Sequence, residues 1–562
     1  MPLSSPALVN PSSPELDPPR SRPRLRIGVL DLLSDAAPQS LGESIYARHF
    51  RTQFTSITPQ AVSVWCRRMG HDVTYAAYCG DRTPESLLPD QMDYLFVCAY
   101  TKAAPLAYAL AKRYRADGVR TVLGGPHARS FPDDALRFFD WVVGDCDQQL
   151  IADLLAGEYP RQVACSSGRN LVEFPSVEER MPELERSSLR REGRTFWQSI
   201  PLLASVGCPY TCDFCVDWDS SYVRIEDDHL RRDLDYIADH HPKVVLGFHD
   251  PNFAVQFDAT MQVLESIEPE RRLPYVMESS LSVLKDSRLP RLRETRCAYI
   301  AAGIESWQEY SGKAGAGKTN GRDKLRSVSE RFEKLRDHVY GFQGNFVLGT
   351  DADEGPEPAA LTKEFIREHP YVWPGINIPT PFGGTPLFDQ LLEEGRLLES
   401  MPFLFYYNPY LVFRPKHYGV LEYYEMLDDV FREMNTLGAW RRRLTNGTHW
   451  IVKAIHSVQA AGAWSERSEF RRITKLLRRD EEFLAFHEGR TDRLPGFYQE
   501  RFEQRLGRYA DLLDESERMP DLRAGAFPRI DWVRGGSAPN LGAPPPSGGA
   551  QELVALGAAS PA

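Results

Sequence analysis

The sequence predicts an α/β protein in three parts: an N-terminal doubly wound, Rossmann-like domain, a central partial (β/α)6 TIM-type barrel, and an α-helical C-terminal region. Three observations predict it. Short apolar runs alternate with helix-length amphipathic stretches over residues 24–157 and again over 199–398. The runs are continuously apolar, as in YLFVCAY (94–100), which is the pattern of strands buried on both faces of a parallel sheet. Beyond 399 the strand signal fades, and Val420, Tyr424, Leu427, Phe431 and Met434 recur at helical spacing.

Taken in order, residues 1–23 and 534–562 are rich in Pro, Ser and Gly and too poor in large apolar groups to offset the entropy of ordering, so both tails are predicted to be disordered. Within 24–157 the strands are read in LRIGVLDLL, HDVTYAAY, YLFVCAY, TVLGGPH and WVVGD, about five in all, with helices between them. Residues 158–198 lack clear periodicity and read as a connector. From 199 to 398 the strands are PLLASV, VVLGFHD, YVMESS, AYIAAGIES, YGFQGNFVLG and GINIPTP, with helices such as 226–240 and 322–337 between them. Six successive units suit an open version of the parallel barrel. Residues 399–533 form the helical region.

Composition narrows the function classes. The net charge of −11, with acidic and basic residues interspersed, points to neither a nucleic-acid footprint nor a polybasic membrane patch, so a small-molecule substrate is expected, with no nucleic acid and no membrane. No apolar run reaches the roughly 18 residues of a membrane-spanning helix, and the N-terminus has no signal-peptide pattern, so a cytoplasmic protein is expected. Nine cysteines make an odd count for a disulfide framework; Cys66, Cys79, Cys98, Cys146, Cys165 and Cys297 are scattered and read as small buried hydrophobes.

The other three stand together in CPYTCDFC, at Cys208, Cys212 and Cys215. Four thiolates close a structural metal site, whereas three leave one coordination position for something other than protein. The loop follows PLLASVG and so falls at the C-terminal end of the first barrel strand, where such folds place their chemistry. A zinc site completed by a distant residue such as His249 is the alternative, and would make the chain a zinc-stabilised binding or scaffold protein. GKAGAGKT (312–319) also satisfies the phosphate-loop pattern. That loop must leave a strand and open a helix directly, but WQEYS separates it from the strand, and Asn320 and Gly321 delay the helix.

CPYTCDFC, with Phe214 directly before the last cysteine, resembles the radical S-adenosylmethionine (SAM) motif. The resemblance implies that Cys208, Cys212 and Cys215 hold a 4Fe-4S cluster whose open iron binds SAM, with reductive cleavage to a 5'-deoxyadenosyl radical. Later strand ends resemble the family in order: GFHDPNF, MESS, AAGIES, FVLGTD and NIPTPFGGTPLFDQ. They imply SAM contacts from Phe214, His249, Asp250, Glu278, Ser280 and Glu305, with Gly349 admitting the adenine. The domain before the barrel, through GGPHARSFPDDALRFFDWVVGD, resembles the cobalamin-binding domain of cobalamin-dependent radical SAM enzymes, and implies cobalamin beside Gly124 and Gly125. A D-x-H-x-x-G signature is absent. The function implied is C-methylation of an unactivated carbon in a small molecule, with an electron donor such as flavodoxin or ferredoxin. The alternative is a radical rearrangement, cyclisation or oxidation without cobalamin.

Overall fold

The computed structural model describes residues 23–35, 41–168, 171–189, 198–315, 319–446 and 449–522. The tails expected to be disordered, apart from Pro23, and Lys318 of the phosphate-loop pattern lie outside the described residues.

Six parallel strands form the first sheet: β1 (Arg26–Leu32), β2 (Asp72–Tyr78), β3 (Tyr94–Ala99), β4 (Arg120–Gly124), β5 (Trp141–Val143) and β6 (Val163–Cys165), in the order β2-β1-β3-β4-β5-β6. All six residues of β3 and six of the seven in β1 are buried, as continuous apolar runs require when helices cover both faces. Because the order reverses between β1 and β3, a crevice opens beyond their C-terminal ends. The sheet reaches past residue 157: β6 lies in the stretch expected to be a connector. At three residues it is too short to show a period.

The remaining strands are β7 (Ser199–Leu202), β8 (Ser205–Val206), β9 (Val223–Arg224), β10 (Val245–Phe248), β11 (Tyr275–Ser280), β12 (Cys297–Glu305), β13 (Gly341–Val347) and β14 (Val372–Asn377). Six of them form a second all-parallel sheet in the order β14-β13-β12-β11-β10-β7, with β7 and β14 as its two edges, so the barrel is open. Between β7 and β10, the two-residue strands β8 and β9 pair antiparallel and pinch off the loop that carries the three cysteines.

Aromatic rings lock the barrel helices onto one face of this sheet. Phe342 of β13 meets Phe332 edge-on at 5.8 Å, and Trp307 donates its indole N–H to Thr362 at 2.8 Å. The opposite face is covered in part by the long C-terminal helix Trp450–Arg479. Its Gln459 donates to Gln343 at 2.8 Å, and its His456 packs against Trp373 and Tyr299. Among the described residues no helix is long and apolar enough to cross a membrane.

The helical region also reaches the end of β13. Tyr423, on the helix Val420–Met434, is fully buried and donates its hydroxyl to the Leu348 carbonyl at 2.7 Å. Its ring fills the space where a side chain on Gly349 would stand, and Gly349 has φ of +82°. Gly349→Ala therefore combines a steric overlap with a left-handed backbone, and is expected to cost about 2–4 kcal/mol. Urea unfolding would show a lower midpoint with an unchanged slope; an unchanged midpoint would refute the packing described.

Candidate cofactor site

The cysteine loop runs from Gly207 to Tyr222, between β8 and β9. Cys208 N–H donates to the Ser220 carbonyl at 3.1 Å, closing its base, and Cys215 N–H donates to the Cys212 carbonyl at 3.0 Å, forming a turn between two of the thiols. Cys208 and Cys212 are buried and Cys215 is half-buried. The loop is also tied at its outer edge. Trp218 donates its indole N–H to the Gly384 carbonyl at 2.7 Å, Leu387 N–H donates to the Asp213 carbonyl at 3.0 Å, and the Tyr210 hydroxyl meets Ser282 Oγ. Phe214 stacks on Tyr310 with ring centres 5.5 Å apart.

Burial pushes the Cys212 thiol up to about 12 and raises Cys215, so both favour the neutral form in the absence of a partner. The partner within the chain is Lys313. Burial opposes its charge, but Cys212, Glu305, Cys215 and Cys208 together hold its pKa above the usual range. Lys313 Nζ lies 3.9 Å from Glu305 Oε1. The ammonium is thus placed to offset the negative charge of thiolates. Among the described residues no three His, Cys, Asp or Glu side chains are gathered closely enough to hold a single metal ion. The three thiols nonetheless share one electrostatic neighbourhood. Three thiols in one loop, without a fourth protein ligand among them, form a donor set that leaves one coordination position open.

The acidic strand ends divide into two kinds. Glu278 and Glu305 turn toward Lys313, and for both burial raises the carboxyl while Lys313 lowers it. Glu305 has φ of +65°, and the β12–β13 register shifts between Gly303 and Glu305. Such a conformation costs of order 1 kcal/mol or more in a non-glycine residue, and here it accompanies the turn of the carboxylate into the site. Asp250 does not join them. It is 1% exposed, accepts from Ala204 N–H at 3.0 Å and Ser205 Oγ at 2.5 Å, and so holds the chain between β7 and β8, just ahead of the cysteine loop. Ser280 is likewise internal: its N–H donates to Asn252 Oδ1 at 2.9 Å, and its hydroxyl accepts from Ser282 at 3.0 Å. Tyr423 occupies the approach at Gly349 that was expected for an adenine.

His249 and Glu278 are both exposed, yet protein surrounds them: burial, with Arg180 nearby, lowers the His249 pKa to about 4, leaving a neutral imidazole. They open onto a crevice rather than onto bulk solvent. Tyr100, directly after β3, is 43% exposed and lies close enough to Glu278 to feel its charge, so the crevice is shared by the C-terminal ends of both sheets. The two glycines expected to admit cobalamin differ in their surroundings. A side chain on Gly125 would stand 2.7 Å from Cys98 Sγ, and one on Gly124 would meet only the Val143 carbonyl, at 3.9 Å. The backbone at Gly125 is held against β3, not against empty space.

Sequence reasoning missed two residues. Arg129, in the stretch after Gly125, crosses from the first sheet's side to the cysteine loop, donating to Asp219 Oδ1 at 2.7 Å and to Ser220 Oγ at 3.0 Å. Lys313 sits inside the phosphate-loop pattern, whose signature lysine is Lys318. A lysine in a glycine-rich stretch carries no local signal of this role; only proximity in space to the thiols marks it.

No family model matches the chain. It is similar to the bacteriochlorophyllide d C-12(1)-methyltransferase of Chlorobaculum tepidum, 24% identical over 387 residues that span 66% of this chain and 81% of that protein. It is also similar to the bacteriochlorophyllide d C-8(2)-methyltransferase of the same organism, 25% identical over 323 residues, 54% of this chain and 69% of that one. Among solved structures, the cobalamin-dependent S-adenosylmethionine radical enzyme OxsB, with aqua-cobalamin bound, matches in fold with a TM-score of 0.51 at 12% identity, over 83% of this chain and 75% of that one.

The Asp250 carboxyl is pushed up to about 7 by burial, from an ordinary 3.8. The folded chain therefore binds more protons than the unfolded one between those values, and this group's contribution makes stability fall as pH rises from about 4 to about 7. Asp250→Asn removes that slope. Denaturation at pH 5 and pH 8 should show the variant gaining on the wild type at the higher pH; an equal difference at both would contradict the buried, unpaired carboxyl.

Proposed function

We propose that this chain, a radical SAM protein of the cobalamin-dependent type, cleaves S-adenosylmethionine reductively and methylates an unactivated carbon of a small molecule. The observation that carries the reading is the pinched loop that presents three cysteines beside one partly buried ammonium, at the C-terminal end of an open parallel sheet. Cys208, Cys212 and Cys215 hold the cluster, and Lys313 offsets the charge the thiolates acquire on losing their protons. When bound, a 4Fe-4S cluster supplies the electron for cleavage, and cobalamin carries the methyl group.

Glu278 and Glu305 serve as polar contacts at the rim, and Phe214 on Tyr310 walls the loop. The neutral His249 is able to accept or donate one hydrogen bond in the crevice without bringing a charge into it. Tyr100 approaches from the first sheet, and the C-terminal helix Trp450–Arg479 covers the open face of the second, which keeps water from a reactive intermediate. An electron donor such as flavodoxin or ferredoxin completes the cycle, and a reducing cytoplasmic setting suits it. The domain limits follow the same division of labour, with the first sheet on the cobalamin side, the second on the cluster side and the helices as cover.

Anaerobic reconstitution followed by incubation with SAM and dithionite tests the reading. About four irons and four sulfides per chain, cobalt retained through gel filtration, and release of 5'-deoxyadenosine are expected, with iron and product both lost in the triple alanine variant of Cys208, Cys212 and Cys215. Lys313→Gln should lower the iron retained while leaving the unfolding midpoint nearly unchanged, since it removes charge compensation and not packing. A protein that takes up zinc without sulfide, or releases no deoxyadenosine, would rule the proposal out.

A further inference from the structure

The whole-chain charge conceals a basic segment, in which Arg443 is buried and Arg467 and Arg478 pair with Asp428 and Glu425 while other cations stay exposed. Residues 436–479 carry ten lysines and arginines against two glutamates, in a chain whose net charge is −11. The same segment holds three exposed large apolar side chains: Leu437 at 85% exposure, Trp440 at 44% and Trp464 at 71%. Leu437 and Trp440 belong to the helix Leu437–Asn446, and Trp464 to the helix Trp450–Arg479.

Two pairings bring these together. Arg443 lies over the Trp373 ring at 4.8 Å and His456 packs on the same ring at 5.9 Å, so the two helices fold back on each other as a hairpin with 443 opposite 456. Phe470 packs on Phe431 at 4.8 Å, which sets the long helix antiparallel to the helix Val420–Met434. Both registers place residue 464 level with residues 435–437. At 3.6 residues per turn, Trp464, Arg471 and Lys475 fall within about 20° of one line along the helix. Among the described residues, neither Arg471 nor Lys475, nor Arg441 beside Trp440, makes an ion pair.

We infer that this face docks the protein onto an anionic lipid surface. Tryptophans prefer the boundary between headgroups and hydrocarbon, and arginine and lysine side chains alongside them reach lipid phosphates. A second copy of the chain would bring like charges together, and Leu437, the most exposed of the three, offers a nucleic-acid base nothing to stack on. The contact is peripheral. The expectation of no membrane partner, drawn from average charge, is the one this face argues against.

Sedimentation with phosphatidylcholine vesicles, with and without phosphatidylglycerol, tests the inference on the full chain and needs no cofactor. The wild type should pellet with the anionic vesicles and be released by salt. Arg471→Glu with Lys475→Glu should weaken binding by tenfold or more, at about fivefold per cation, and Trp440→Ala with Trp464→Ala should abolish it. All four positions are exposed, so unfolding midpoints should stay at the wild-type value. The inference is overturned by failure to pellet, by binding that both double variants retain, by a dimer that the tryptophan variants dissociate, or by a shift with poly(U) in place of vesicles. Because no step of the reading uses SAM cleavage, its failure leaves the proposed reaction untouched.

Discussion

Two buried thiols and a half-buried third, set beside a largely buried lysine, make the constraint on which the rest of the site depends. Neither partner is comfortable alone. Burial holds the thiol of Cys212 neutral and works against the charge of Lys313. Each group favours the charged form of the other. That arrangement holds only if the loop is fixed, because Coulomb attraction at this range changes steeply with distance. The antiparallel clasp of β8 and β9 fixes its base, Asp250 fixes the chain ahead of it, and Trp218 and Arg129 fix its outer edge.

Arg129 links the loop to the first sheet, and the stretch around it explains how two sheets come to share one crevice. His127 is fully buried and its pKa is pushed down to about 3 by burial. Its Nε2 meets the Tyr108 hydroxyl at 2.6 Å, and the same hydroxyl donates to Asp134 at 2.7 Å. This stiff internal cross-brace lets the backbone at Ser130 lie against Gly383, on the loop after β14. The two C-terminal edges then face each other. Tyr100 and Glu278, one from each side, lie close enough there for the charge of Glu278 to act on Tyr100.

Legibility followed range. Most strands of the two sheets announced themselves as apolar runs set between helix-length amphipathic stretches, and the cysteine loop did because its ligands are neighbours in sequence. β6 and β9 did not, being two or three residues inside stretches without an apolar run, and β8 showed only as the tail of PLLASV; yet β8 and β9 are what shape the loop. Lys313 and Arg129 act on groups about 100 and 90 residues away, and nothing local distinguishes them from surface cations. Asp250 shows the converse. Its position at a strand end was visible, but the direction in which its side chain turns was not, and that direction makes it a brace for the backbone instead of a contact at the rim. At Gly125 and Gly349 the sequence does not show which parts of the chain stand at the side-chain position, Cys98 in one case and Tyr423 in the other.

The long helix Trp450–Arg479 carries two unlike faces, and the inner one bears on what the second sheet can receive. An apolar slot would be lined with satisfied groups, but this face presents His456 and Glu466. His456 Nε2 and Glu466 Oε1 are buried with no hydrogen-bond partner among the described residues. Burial lowers His456 to about 4 and raises Glu466 to about 7, so neither is held in a fully charged state near neutrality. A buried polar atom left unpaired costs about 1–3 kcal/mol, and a ligand that supplies its partner recovers that cost as affinity. These unpaired atoms lie where the long helix packs over Trp373, Tyr299 and Gln343 of the second sheet.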